Sequence, residues 1–302
     1  MRIIASAPGK LMLMGEHAVL HGHYALVCAI NRRIEIIAET TDEDVLEIDS
    51  DLGSYSNSLE TVKVEAPFEF ILQAVHDLLP DCGIKLKIKA DFDSQVGFGS
   101  SAAISAAIVA ILHQIKYNAV DPHRVFTDAH KIIQEVQGKG SGADLAASIF
   151  GGIIKYRMDP SEICPIDAGF PLAAYYTGSK EKTMDVVNMV EKNRQEDPET
   201  YAQYFQSIDS FIADAETALI KGDQDALSMA LIGNQLLMDE MKLSNDKIND
   251  LIESVSNDPG VSAVKISGSG LGDCIISCGL PENEHASQIK DLYIESQGLM
   301  IK

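Results

Sequence analysis

The sequence predicts an α+β protein built from two units, and three observations carry that prediction. The chain has 302 residues, about two domains at ~150 residues each. Its first half mixes short strand-like runs with helical stretches, without the steady strand–helix beat of a doubly wound parallel sheet. After about Met158 the composition shifts and helical patterns dominate. The expected units are 1–160 and 161–302, with the boundary between residues 155 and 180.

Short apolar or alternating runs predict strands at 2–7, 25–30, 33–40 and 45–49. A helix is expected over 67–79, opened by Pro67, because proline suits a first turn whose N–H groups have no helical partner. Residues 83–92, GIKLKIKADF, alternate with period two and read as a half-buried strand. A small-residue helix follows over 101–117, then a second over 122–137. LAASIF reads as a helix, and GGIIKYR and LAAYYTG as strands. Four helices are expected over 183–192, 198–220, 224–241 and 245–257. The chain then runs through strand VSAVKIS, loop GSGLGD, strand CIISCG, a helix over 284–297, and a short apolar LMIK.

The net charge of −21 argues against nucleic acid, whose binding rests on Lys and Arg neutralising phosphates, and against an anionic membrane surface. No apolar run approaches the ~18 residues of a membrane span, and MRIIASAPGK lacks the long apolar region of a signal peptide. Five cysteines without a repeating spacing do not form a disulfide framework, which fits a reducing, cytoplasmic setting.

Four glycine-bearing segments carry the chemistry. Val96-Gly97-Phe98-Gly99-Ser100-Ser101-Ala102-Ala103 lies between a predicted strand and a predicted helix. A helix mouth exposes unpaired N–H groups at its positive end, and glycine lets backbone approach an anion, so the segment suits phosphate. It is not a P-loop, and its match to a dinucleotide fingerprint lacks the acidic residue expected about 20 positions on. A tight turn with Ser100 as an ordinary helix cap explains the same residues. The run Ala7-Pro8-Gly9-Lys10 leads through an apolar stretch to Gly15-Glu16-His17, where Lys10 suits phosphate or a substrate oxygen and His17 also suits a purely structural hydrogen bond. In Gly138-Lys139-Gly140-Ser141-Gly142-Ala143-Asp144, the aspartate is placed either to cap a helix or to act as a general base. Lys265-Ile266-Ser267-Gly268-Ser269-Gly270-Leu271-Gly272-Asp273 forms the fourth cluster, between two strand candidates.

Together, in this order, these segments resemble the GHMP kinase superfamily, and most closely its mevalonate kinase branch. The resemblance implies an N-terminal domain like the second domain of ribosomal protein S5, a ferredoxin-like C-terminal domain, and ATP between them. It implies that Gly97, Phe98, Gly99, Ser100, Ser101 and Ala102 form the phosphate loop, with Ser101 facing Mg²⁺. Asp144 corresponds to the catalytic aspartate and Lys10 to its partner. Glu16, His17, Gly268, Ser269 and Gly270 fall on the substrate side. Two departures stand out. Leu271 replaces a glycine, and Ile133 occupies the slot of the metal glutamate, so either the metal is held mostly by Ser101 and the phosphates or Glu135, two residues on, reaches it through a local irregularity. The implied activity is transfer of phosphate from ATP to the 5-hydroxyl of mevalonate, a small-molecule acceptor, with a homodimer compatible. Gln137–Gly142 and Asp273 resemble phosphomevalonate kinase, for which Arg32 and Arg33 offer an extra phosphate site. A sugar or homoserine kinase, and a catalytically silent nucleotide-binding relative, complete the alternatives.

Overall fold

The computed structural model describes residues 1–93, 96–179 and 181–302. Its larger sheet has eight strands. Strand β1 (Arg2–Met14) pairs antiparallel with the long β2 (Tyr24–Thr41), whose second half pairs with β5 (Gly83–Ala90) and whose first half pairs with β6 (Ile153–Arg157). Strand β3 (Leu46–Ser50) joins β5 in parallel and carries β4 (Gly53–Asn57), while β7 (Glu162–Ile166) extends β6. Helices α1 (Glu69–Leu78), α2 (Ser100–Tyr117), α3 (Pro122–Gln137) and α4 (Ala143–Phe150) build a shared core with this sheet. The smaller sheet is antiparallel, with β10 (Cys274–Cys278) between β8 (Leu172–Tyr176) and β9 (Ala263–Ser267). It shares a second core with α5 (Thr183–Glu196), α6 (Pro198–Lys221), α7 (Gln224–Glu240) and α8 (Asp246–Ser256).

The two cores meet on β1. Leu11 and Leu13 pack into the second core while Met12 packs into the first, because alternate side chains leave opposite faces of a strand. The run Leu11–Met14 is therefore apolar at every position, as a strand covered on both sides requires. A backbone bond from Lys10 N–H to the Phe98 carbonyl, 2.9 Å, fixes this strand to the start of α2.

Three sequence expectations need correction. Residues 284–297 are not helical. Their backbone bonds go to both sheets instead, with Tyr176 N–H to the Ser287 carbonyl, Ile289 N–H to Ala174, Asn31 N–H to Tyr293 and Glu295 N–H to Ala29. The outer edge of β8 thus receives an irregular strap where a helix was expected. Strands β4 and β7 were absent from the sequence reading, since GSYSN is polar and EICPI contains proline. The predicted strands at 25–30 and 33–40 are one strand. The terminal LMIK contributes β11 (Met300–Ile301), which pairs with β1.

Candidate active site

Helices α1, α2, α4 and α5 begin without a side-chain cap, and of these α2 and α4 start from glycine. Asp121, Asp197, Asp223 and Asn245 cap α3, α6, α7 and α8. Helix α2 instead starts from Gly99 at φ 72°, and α4 from Gly142 at φ 86°, neither with a side-chain cap bond. Glycine takes this left-handed conformation without steric penalty, and the first N–H groups of α2 stay available to an anion, whereas Ala143 N–H of α4 donates to Ser141 Oγ at 3.2 Å. Ser100 is the first residue of α2 rather than its cap, and Asp144 lies inside the first turn of α4.

The lysine and aspartate meet between these helix mouths. Lys10 Nζ lies 3.3 Å from Asp144 Oδ2; the Lys10 side chain is 7% exposed and that of Asp144 40%. The lysine is held in packing while the carboxylate opens outward. The Lys10 methylenes run against Gly99, where a Cβ would come within 2.8 Å of them. A Cβ on Gly97 would come within 2.7 Å of the Asp273 side chain, so the fourth glycine cluster abuts the Gly97–Ser101 loop. Leu271, standing where a glycine was expected, adopts φ 61° all the same.

His17 joins the same assembly. Its Nε2 lies 2.8 Å from the Ser269 carbonyl. A carbonyl only accepts, so Nε2 carries the proton and Nδ1, buried without a protein partner, presents a lone pair. Burial holds the ring below the ordinary 6.5, against the opposing pull of the Ser269 bond and Glu16. The unfolded chain therefore takes up this proton first as pH falls. The residue's contribution to stability is present above 6.5 and is lost as pH drops towards the depressed folded value. The melting temperature of the wild type is expected to fall more steeply below about pH 6.5 than that of His17→Asn. Parallel profiles in differential scanning calorimetry would contradict this.

A cavity of about 370 Å³ lies against His17 and the Gly138–Gly140 loop that leads to Asp144. Leu20, Met158, Val187 and Val190 give it an apolar wall, and His21, Gln134, Lys139 and Glu191 a polar one. Arg194 and then Gln195 hydrogen-bond Glu191 and hold its carboxyl down at about 2. Helix α5 therefore supplies a wall that the sequence reading had not marked. A larger depression of about 660 Å³ on the outer face of the big sheet carries no motif residue. Its Lys85 and Arg2 pair with Glu47 and Glu39.

Glu16 does not face this cavity as a free acid. It is ion-paired at 2.5 Å with Lys265 of β9, which heads the fourth glycine cluster and whose one sequence signal for such a partner is a lone lysine in an apolar strand. Glu135 bonds Gln73 of α1 and Lys131. Ile133, about 200° away around α3, is the residue turned to Gly140. Arg32 and Arg33 are spent on backbone carbonyls of residues 290, 291, 297 and 298 and offer no ready phosphate site. Among the described residues no group of three or more His, Cys, Asp or Glu gathers as a metal centre.

Gly15, at φ 89°, turns the chain from β1 toward Glu16. A Cβ there would lie 2.4 Å from the Tyr24 carbonyl oxygen and 2.6 Å from Ala25 Cα. Gly15→Ala is expected to destabilise by about 2–3 kcal/mol in urea unfolding, because backbone must move and the φ is strained. A change under about 0.5 kcal/mol would contradict the crowding.

Comparison with known proteins gives a consistent answer. Residues 66–152 match the profile described as GHMP kinases N terminal domain, 215–291 that of GHMP kinases C terminal, and 1–40 a galactokinase galactose-binding signature. The mevalonate kinase of Archaeoglobus fulgidus is 30% identical over 303 residues, 99% of this chain and 100% of that one. That of Thermococcus sibiricus is 28% identical over 318 residues, 96% and 93% of the two chains. The crystal structure of the Lin0012 protein of Listeria innocua superposes with a TM-score of 0.87 at 21% identity, covering 100% of this chain and 99% of that one. By sequence over its full length and by fold, the chain belongs to the GHMP kinase family.

Proposed function

We propose that this ATP-dependent small-molecule kinase phosphorylates the 5-hydroxyl of mevalonate. The observation that carries the reading is the Lys10–Asp144 pair, 3.3 Å apart, between two helices that each start from a left-handed glycine. The choice of acceptor rests on the relatives named mevalonate kinase and on His17 beside the cavity.

The ATP phosphates would lie on Gly97–Ser101, where unpaired N–H groups of α2 meet their charge. Asp144 would orient the acceptor hydroxyl and take its proton, and Lys10 would stabilise the oxygen as charge develops. His17, its ring fixed by the Ser269 carbonyl, would form part of the wall beside the acceptor. Phosphoryl transfer depends mainly on positioning and electrostatics, so full deprotonation before attack is not required. Mg²⁺, where bound, would neutralise the phosphates. It takes one or two protein oxygens, and the Ser101 hydroxyl in the first turn of α2 fits that need. Glu135 contributes only if it gives up Lys131 and Gln73. Free cysteines, and the absence of a membrane-crossing helix among the described residues, support a cytoplasmic setting.

The test is a coupled ADP-release assay with mevalonate, phosphomevalonate, galactose and homoserine. ADP release with mevalonate alone is expected. Release only with phosphomevalonate would overturn the choice of acceptor, and ATP binding without release on any alcohol would favour the silent relative.

A further inference from the structure

Three consecutive residues of the turn after β1 each cross to the second unit. Gly15 N–H donates to Asn234 Oδ1 of α7 at 3.3 Å. Glu16 accepts from Lys265 Nζ of β9 at 2.5 Å, and His17 donates to the Ser269 carbonyl at 2.8 Å. The strand that ends in this turn also carries Lys10. The segment that follows Lys265 in β9 carries Ser269 and then Asp273, which abuts the phosphate loop. One short turn therefore ties the lysine's strand to the glycine cluster on the other side of the site.

The central member is unusual in kind. The side chains of Glu16 and Lys265 are 3% and 1% exposed, a full ion pair withdrawn from water. Desolvating two charges offsets most or all of their attraction, so replacing such a pair with well-packed apolar groups of similar volume is often neutral for stability. What charge adds is register. Lys265 also donates to the Ile266 carbonyl, so its ammonium is fixed against its own strand as well as against Glu16. A slip of the turn along β9 would separate the charges in a dry interior.

We propose that Glu16 and Lys265 are positioning residues that lock the turn after β1 onto β9 and so hold His17 against Ser269 at the acceptor cavity. This rests on the reading that the cavity beside His17 receives the acceptor. Neither residue touches the reacting atoms. Their effect passes through His17, and a displacement of ~1 Å at a reacting centre is enough to cost about 10²-fold in rate.

The test uses the full chain and the double variant Glu16→Leu/Lys265→Met, which removes both charges together and leaves no unpaired polar group. Its melting temperature is expected to stay within a few degrees of the wild type. The KM for mevalonate is expected to rise roughly tenfold while the KM for ATP stays within about twofold. In ¹⁵N-resolved NMR, the hydrogen-bonded Nε2–H resonance of His17 is expected to disappear, a readout that needs no acceptor. Retention of that resonance, an unchanged KM for mevalonate, or an equal rise in both KM values overturns the proposal. Should the wild type release no ADP with mevalonate, the choice of acceptor fails on that result. The positioning role is then read from the NMR signal and from the KM of whichever alcohol the wild type does phosphorylate.

Discussion

Asp144→Asn is expected to lower turnover by at least about 10²-fold while the affinity for ATP stays within a few-fold. The substitution preserves shape and a hydrogen-bonding oxygen but removes the capacity to take a proton and the charge that faces Lys10. General-base assistance is worth about 10²–10⁴ in rate, or roughly 3–5.5 kcal/mol. The Asp144 side chain is 40% exposed and does not cap α4, so the fold does not depend on it. Rapid-quench measurement of a single turnover separates the chemical step from product release, and titration with an ATP analogue reports binding. Near-normal turnover would remove Asp144 from the chemistry.

Lys10→Met is expected to have an effect of comparable size by another route. The methionine fills the channel beside Gly99 that the lysine methylenes occupy, so packing is retained while the ammonium is lost. Removing one preorganised donor from a developing oxyanion costs about 10²–10³ in turnover. Lys10→Arg is expected not to restore it, because a broad planar guanidinium does not take the place of the compact ammonium that lies 3.3 Å from Asp144 at the end of a stem packed against Gly99. The double variant Lys10→Met/Asp144→Asn should lose little more than the worse single variant, since the two groups act as a unit. Losses that multiply would show that they act independently.

The glycine loops were legible in the sequence because their physics is local. Glycine and small polar residues ahead of an apolar helical run describe an open helix mouth wherever it occurs, and α2 and α4 both begin that way. The β5 alternation and the Asp121-Pro122 start of α3 were legible for the same reason. What sequence reading missed depends on distant partners. Residues 284–297 have the composition of a helix, yet two sheet edges compete for their backbone groups and win. Arg32 and Arg33 offered charge for a phosphate, whereas the strap carbonyls beside them take that charge up. Lys265 makes sense only once Glu16, 249 positions earlier, stands opposite. Helix α5 contributes Val187, Val190 and Glu191 to a cavity wall, and no periodicity announces which cavity a helix will line.

The pairing of β11 with β1 bears on the order of folding. Ala5 and Ser6 sit opposite Ile301 and Met300, so an edge of the strand that carries Lys10 is covered by a segment remote from it in sequence. Contacts of such separation incur their loop-closure cost before they are rewarded, so this edge is expected to zip up late, after the rest of the sheet has formed.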